Sequence, residues 1–525
     1  MYIIKNPFFG SVDDRVIAIN PLSVIYKIKN EYFPKNNADV TYAITLYEIN
    51  PDDFTLEVTL IGSPAISIND LVKITGTLVD GMYRVIAILS PTKFKLNYSS
   101  TNLVSGTSGG LQIQRTNFRT ILEVYSGLPS EHYLHNKNPI KKICRLSATP
   151  NFENIAFFDV GAPVRSTILP ILNDYNHSDL IDYKLFTCFY VQVKESYTVF
   201  DGNGHANTYE SNVLETSLTC YGLHAFFQPR QNEYKNNLLE YVIKQNGRLA
   251  KFLTCFEEMY HFENYQFDVF VFLDRSFVVA NNNQTLELEI EQYDKENQLI
   301  SINYVDVITL KSTAGQMNYG LLRIKLDEIG LLYDCYYYTI QLQINFQYVS
   351  EKKKIFYKKD DVCKHVYLRW LNELGVFDGW RFDGNREEEL EISERKVFTN
   401  EIDFLIEDWA YVEAERRLQE VKSEKIYRVR SSFLTKEQVK CIVRILESPV
   451  VYIFEKADMQ IRLTHDDYRI VDSGDYRILN LGNQLYFYKQ ILIDKDSFIY
   501  YKDNQNFYTI EFSYRDTFLR RNQIQ

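Results

Sequence analysis

Ile340-Gln341-Leu342-Gln343-Ile344-Asn345-Phe346-Gln347-Tyr348 alternates apolar and polar side chains. Successive side chains on a strand point to opposite faces, so this run predicts a half-buried β-strand. The same period of two recurs in Phe54-Thr55-Leu56-Glu57-Val58-Thr59-Leu60 and in Leu286-Glu287-Leu288-Glu289-Ile290-Glu291. Asp80-Gly81, between two apolar runs at 72–78 and 82–86, has the residues of a type I′ hairpin turn. A further strand, 94–98, follows the turn at Ser90-Pro91. Residues 51–115 therefore read as a small β-barrel, bounded by Asn50-Pro51 and by the Gly/Ser/Thr stretch 105–110. It interrupts a larger, discontinuous β-domain at 1–50 and 116–230, with strand candidates at 41–49, 118–125, 185–193 and 223–227.

Helical spacing is rarer. Leu238, Leu239, Val242 and Ile243 suggest a helical connector at 231–261, leading to a β-sandwich at 262–355. Beyond 356 the character changes. Tyr367, Trp370, Leu371 and Leu374 fall at i, i+3, i+4 and i+7 before Gly375, which predicts an amphipathic helix with a glycine cap. Ile402, Leu405, Ile406 and Trp409 suggest a helix within 401–421. Thr435 with Gln438 forms a capping box ahead of Val439, Ile442, Val443 and Leu446. Strands resume at Val450, so 356–525 reads as an α+β domain. The fold class is multidomain and mainly β, with sandwich and barrel modules, a few amphipathic helices and an α+β C-terminal part.

At 525 residues, three or four domains are the natural expectation. Hydrophobic residues at 45% and charged residues at 24% are ordinary for globular chains. The 40 Tyr and 34 Phe are not, and aromatic rings favour strands and interfaces, although AT-rich codons also enrich them. The net charge of −11, without a long basic tract, disfavours sequence-specific nucleic-acid binding. Lys352-Lys353-Lys354 with Lys358-Lys359 is the best basic cluster and reads as a solvated linker. Seven scattered cysteines imply neither disulfides nor a zinc framework, and no signal peptide or apolar span is seen, which predicts assembly in a cytoplasm.

The motifs of nucleotide loops, zinc proteases and hydrolase elbows are missing from the sequence. His132 with His135 sits in a stretch expected to be an exposed loop, the Asp201 to His205 segment lacks a calcium loop's distant Glu, and Asp360, Asp361, Cys363 and His365 read as the start of a helix. Dispersed carboxylate pairs remain compatible with glycoside cleavage, but the adjacent Glu257-Glu258 and Glu387-Glu388-Glu389 read as solvated faces. No catalytic residue, cofactor or metal is assigned.

The segment 366–382, VYLRWLNELGVFDGWRF, carries a WLNxxGxxxxW-type pattern, and Leu434-Thr435-Lys436-Glu437-Gln438 with 446–452 follows it. Together they resemble virion tail and neck proteins of the crAss-like phages that infect Bacteroidetes. The resemblance implies a multi-copy structural subunit of a ring, hub or tube, pairing with itself in a six- or twelve-fold ring and with other virion proteins. It also implies a place in the virion, with genomic DNA passing nearby and no membrane partner. Trp370, Leu371, Gly375, Trp380, Phe382, Thr435 and Gln438 are its structural residues, read as packing. A tail-tip glycan-binding protein or depolymerase is the alternative.

Overall fold

The computed structural model describes residues 2–5, 16–18, 25–30, 41–172, 180–200, 206–225, 238–359, 365–399, 416–456, 476–502, 507–516 and 520–523, apart from a few positions inside those ranges. Strands dominate, and the described helices are short. No described helix is long and apolar enough to cross a membrane.

Six strands close a barrel in the order Gly110–Gln114, Leu71–Thr75, Gly81–Ser90, Lys93–Leu96, Leu56–Leu60 and Tyr42–Ile49, the last pairing back to Gly110–Gln114. Closure leaves no sheet edge, and Leu56, Val58, Val72, Ile74, Val85, Phe94 and Leu111 fill the interior. The strand Tyr42–Ile49, expected in the flanking domain, is thus part of the barrel. The hairpin turn also differs from expectation. Ile74 pairs with Gly81, so the turn is 76–80, where Gly76 takes the positive φ of 74° and the Asp80 carboxylate accepts from the Gly76 and Thr77 amides at 3.1 and 2.7 Å.

The chain enters this barrel after one β-layer pair and returns to it. Tyr2–Lys5, Ile25–Asn30 and Ile155–Asp159 form a three-stranded sheet. Lys141–Ala148, Thr116–Ser126, Phe186–Phe200, Cys220–Leu223 and Val16–Ala18 form the main path of a larger one. Tyr26, Ile28, Phe158, Leu122, Val124, Phe189 and Val191 make the core these sheets share.

The remainder folds around one continuous apolar core that runs from Leu128 to Tyr514. Met259–Phe262, Lys353–Lys358, Tyr337–Ile344, Thr285–Tyr293 and Leu299–Thr309 lie side by side in one sheet, with Leu299–Thr309 at its edge. Val242–Ile243, Asp268–Leu273 and Gly320–Lys325 form another. A nine-stranded sheet then runs from Phe377–Phe382 through Val366–Leu371, Val451–Lys456, Gln484–Lys502, Tyr508–Asp516 and Arg416–Arg430 to Glu387–Thr399, with two shorter strands alongside.

Four expectations are corrected here. The 367–374 helix is instead the strand Val366–Leu371, buried at every position, followed by a turn. A strand covered on both faces loses the alternation that would reveal it. The helix expected over 238–243 is a single 3₁₀ turn, Leu239–Tyr241, leading into Val242–Ile243. The expected 401–421 helix lies mostly outside the described residues, and its end, from Arg416, is strand. The lysine cluster is no linker either: Lys353–Lys358 is a strand whose Lys353 is buried, while Lys354 lies over the Tyr337 and Phe356 rings at 4.7 and 4.4 Å. The capping box is present at Lys436–Ile442, with Thr435 and Gln438 bonded reciprocally.

Candidate functional site

The strands Val366–Leu371 and Phe377–Phe382 form a hairpin, with Leu368 opposite Trp380 and Trp370 opposite Asp378. Asn372 builds the turn between them. Its side-chain oxygen accepts from the Leu374 and Val376 amides at 2.9 and 3.2 Å, and its amide nitrogen donates to Asp378 at 2.9 Å and to the Leu253 carbonyl at 3.3 Å. Gly375 has φ of 86°, and a Cβ there would lie 3.1 Å from the His224 carbonyl carbon and 3.2 Å from the Ala225 nitrogen. Glycine is therefore required twice over, by conformation and by the neighbouring backbone.

The aromatic members pack, as side chains of this size do when fully buried. Phe256 lies 6.3 Å from Trp370 and 5.7 Å from Trp380, ring centre to ring centre, and Tyr260 lies 5.0 Å from Trp380. Phe382 meets Phe512 edge-on at 5.2 Å, and Leu371 is fully buried. Gln438 reaches the same nucleus, donating to the Tyr260 hydroxyl at 2.6 Å while it caps its helix. All seven motif residues thus belong to one structural unit, and neither tryptophan offers a face to solvent.

Beneath the hairpin lies a buried charged centre. Asp268 accepts from Arg323 at 3.1 Å, from Arg369 at 3.2 Å and from Gln266 at 2.9 Å, and Tyr488 donates to Gln266 at 2.9 Å. Burial pushes the Asp268 carboxyl upward, but the two guanidinium groups overcome it and hold the carboxyl below its ordinary value. Asp378 has no such cation, and burial raises it despite bonds from Asn372, Cys255 and Thr254. The small cavity beside Asp268 and Arg369 is about 10 Å³, room for nothing larger than a water molecule.

A roomier cleft of about 620 Å³ opens between the Lys436–Ile442 helix and the 255–260 segment, with Glu257, Glu258, Glu373 and Glu437 at its walls. Burial raises Glu373, and Arg444 at 3.4 Å opposes that rise. Two thiols also line it. Cys441 donates to the Cys255 carbonyl at 2.8 Å and Cys255 to Asp378 at 3.1 Å. Contact with Cys441, then burial, pushes the Cys255 thiol well above its ordinary value, so it stays protonated and unreactive.

The outer surface offers a different feature. Among the described residues Leu299–Thr309 pairs only with Thr285–Tyr293, leaving its other edge open. Natural edge strands are guarded by charged side chains, proline, bulges or a covering element. This one contains neither Lys, Pro nor Gly, and Asp306 is its single charge, so its guards are that one carboxylate and two bulges, at Ile300 and Val307, in the ladder with Thr285–Tyr293. Ile302 and Tyr304 are 46% and 58% exposed on one face, and Val305, opposite Leu288 on the other, is still 40% exposed. Tyr348 donates to Glu289 at 3.1 Å, and the Tyr304 hydroxyl bonds the same carboxylate, gathering the exposed rings into one patch. At the adjacent hairpin tip Asn345 and Phe346 have φ of 49° and 62°, with Phe346 89% exposed. That turn also splits the alternating run at 340–348 into Tyr337–Ile344 and Gln347–Tyr348.

The other sequence candidates fall apart spatially. His132 is buried, not in an exposed loop: it faces the Tyr319 carbonyl through Nε2 and accepts from the Leu134 amide through Nδ1 at 3.1 Å, while His135 Nδ1 meets the Leu128 carbonyl at 2.8 Å. The 201–205 segment and residues 360–364 lie outside the described residues, and His365 bonds the Tyr265 hydroxyl. Glu257 and Glu258 are exposed at the cleft wall, and Glu387 to Glu389 are exposed on a strand. Among the described residues no three His, Cys, Asp or Glu side chains are grouped to hold a metal. Sequence reasoning missed Asn372, Asp378 and Asp268. Of these, only the Asn in the WLN pattern carried a usable signal, since Asn is a turn-forming residue.

No protein-family model matches this chain, and neither does any curated protein.

Proposed function

We propose that this chain is a non-enzymatic structural subunit of a multi-copy assembly, a component of a phage tail or neck. The observation that carries the reading is the open edge of Leu299–Thr309, covered by no described element, with its exposed Ile302, Tyr304 and Val305. A strand of this kind is an aggregation hazard in a monomer and is hidden by ordered association in an assembly. The WLNxxGxxxxW resemblance supplies the setting, and the net charge of −11 suits a conduit that does not retain passing phosphates. The packing role of Trp370 and Trp380 agrees with a scaffold. Mass spectrometry of purified, disassembled particles tests the reading: the chain is expected at several copies per particle, and its absence from the particle refutes it.

A second reading, a tail-tip glycan binder or depolymerase, draws on the cleft walled by Glu257, Glu258, Glu373 and Glu437. A polysaccharide-degradation assay separates the two, since turnover would replace the structural reading.

A further inference from the structure

The open edge has a complement elsewhere on the chain. Lys141–Ala148 is the terminal strand of its sheet and pairs only with Thr116–Ser126 among the described residues. It carries Lys141, Lys142 and Arg145, all exposed, and no acidic residue; Lys142 pairs with Glu123 and Arg145 with Glu210 within the chain, and Lys194 on the strand beyond reaches the same two carboxylates, so cations outnumber carboxylates here. Leu299–Thr309 carries only Asp306, and the strand behind it adds Glu287, Glu289 and Glu291, of which Glu289 is buried and Glu291 is paired with Lys352, so the surroundings of this edge are acidic in balance. Like pairs with like badly here. Two copies of the 299–309 edge offer no cation to Asp306, and two copies of the 141–148 edge would oppose lysines. One edge of each kind would instead bring opposite charges together.

We infer that the 299–309 edge of one copy takes the 141–148 edge of a second copy as its next β-strand, in an antiparallel, head-to-tail contact. This rests on the assembly reading above and deepens it by naming both surfaces. Antiparallel pairing sets Asp306, toward the end of its strand, against Lys141 and Lys142 at the start of theirs. The ladder hydrogen bonds supply affinity, and the apolar rim of Ile302, Tyr304 and Val305 extends over Ile143, Cys144 and Leu146, which are only partly buried in the isolated chain. Because the two edges differ, each copy keeps one of each free, so the contact propagates and closes as a ring or continues as a filament.

The experiment uses full-length protein in mass photometry and sedimentation velocity. Wild type is expected to form species larger than a dimer. Ile302→Lys with Val305→Lys blocks one edge, and Lys141→Glu with Lys142→Glu blocks the other. Each is expected to weaken association roughly a hundredfold through like charges placed across the contact, with circular dichroism and melting unchanged. Mixed in equal amounts, the two variants set the introduced lysines of one against the introduced glutamates of the other while their unaltered edges pair as before, so association is expected to recover toward wild type, and no recovery overturns the inference. If the 141/142 variant associates like wild type while the 302/305 variant does not, the contact is two-fold and head-to-tail pairing is overturned. If wild type associates and neither variant differs from it, this inference fails while the assembly reading stands. A strictly monomeric wild type overturns both.

Discussion

Replacing Asp268 with Asn removes the one carboxylate bonded to both Arg323 and Arg369, at 3.1 and 3.2 Å. All three side chains are almost wholly buried. At an effective dielectric constant of about 20, a pair at this separation attracts with about 5 kcal/mol before desolvation is counted. Breaking a buried pair from one side leaves uncompensated charge, which typically costs about 3 to 5 kcal/mol. The loss expected for D268N is therefore about 3 to 5 kcal/mol in the core it occupies. Urea unfolding followed by tryptophan fluorescence measures it selectively once Trp409, which lies outside the described residues, is replaced with Phe in both proteins. Trp370 and Trp380 both lie in this core, whereas the barrel core and the 116–223 sandwich core contain no tryptophan. Those separate cores make a single two-state transition for the whole chain an unsafe assumption, so the fluorescence transition is the relevant one. The exposed Lys440 and Glu437 pair provides the control, and E437Q should move stability by less than about 0.5 kcal/mol. A fluorescence transition for D268N within about 1 kcal/mol of wild type would refute the electrostatic account of this centre.

Gly375→Ala forces a Cβ against the 224–225 backbone at φ of 86°, so a loss on the order of 2 kcal/mol is expected in the same fluorescence transition, and a neutral result would contradict the turn geometry. Phe346→Gly should do the opposite: the side chain is 89% exposed and sits at φ of 62°, so relieving the conformation is expected to stabilise by about 1 kcal/mol in thermal melts. Acid sensitivity follows from buried titrating groups. Burial lowers His132 to about 4 and His261 to about 3, so below pH 6.5 the unfolded chain binds more protons than the folded one and stability falls with pH, by about 2 kcal/mol for each histidine at pH 5. Asp182 acts in the other direction, because burial raises it to about 6 and the folded state then gains relative stability as pH falls from 7 to 5, by about 1 kcal/mol. Asp182→Asn should therefore steepen the loss of melting temperature between pH 7 and 5, and a shallower slope would contradict the assignment.

The alternating runs marked real strands because the two faces of those strands differ, as in Thr285–Tyr293, where Leu286, Leu288 and Ile290 are buried in the apolar core while Glu287 and Glu291 on the other face keep partial exposure. The capping box at Thr435 was equally legible, since it depends on four consecutive residues. Val366–Leu371 was misread because Arg369 stands at a polar position of an apparent helical pattern. The residue that makes Arg369 tolerable in a core is Asp268, 101 positions away, and no local window contains both. The same distance hides Asp378, whose partners Thr254 and Cys255 lie on another element. Long-range polar pairing is set by topology, and periodicity carries no trace of it.

The open edge escaped attention for a related reason. Leu299–Thr309 has the apolar content of a central strand, and only the sheet order reveals that nothing described covers its far side. Cryo-EM of the intact particle tests the central claim most directly. The account predicts symmetric copies of this chain in which the 299–309 strand is continued by the 141–148 strand of a neighbouring copy. A particle that contains the chain with that edge bare, or that lacks the chain altogether, would contradict it.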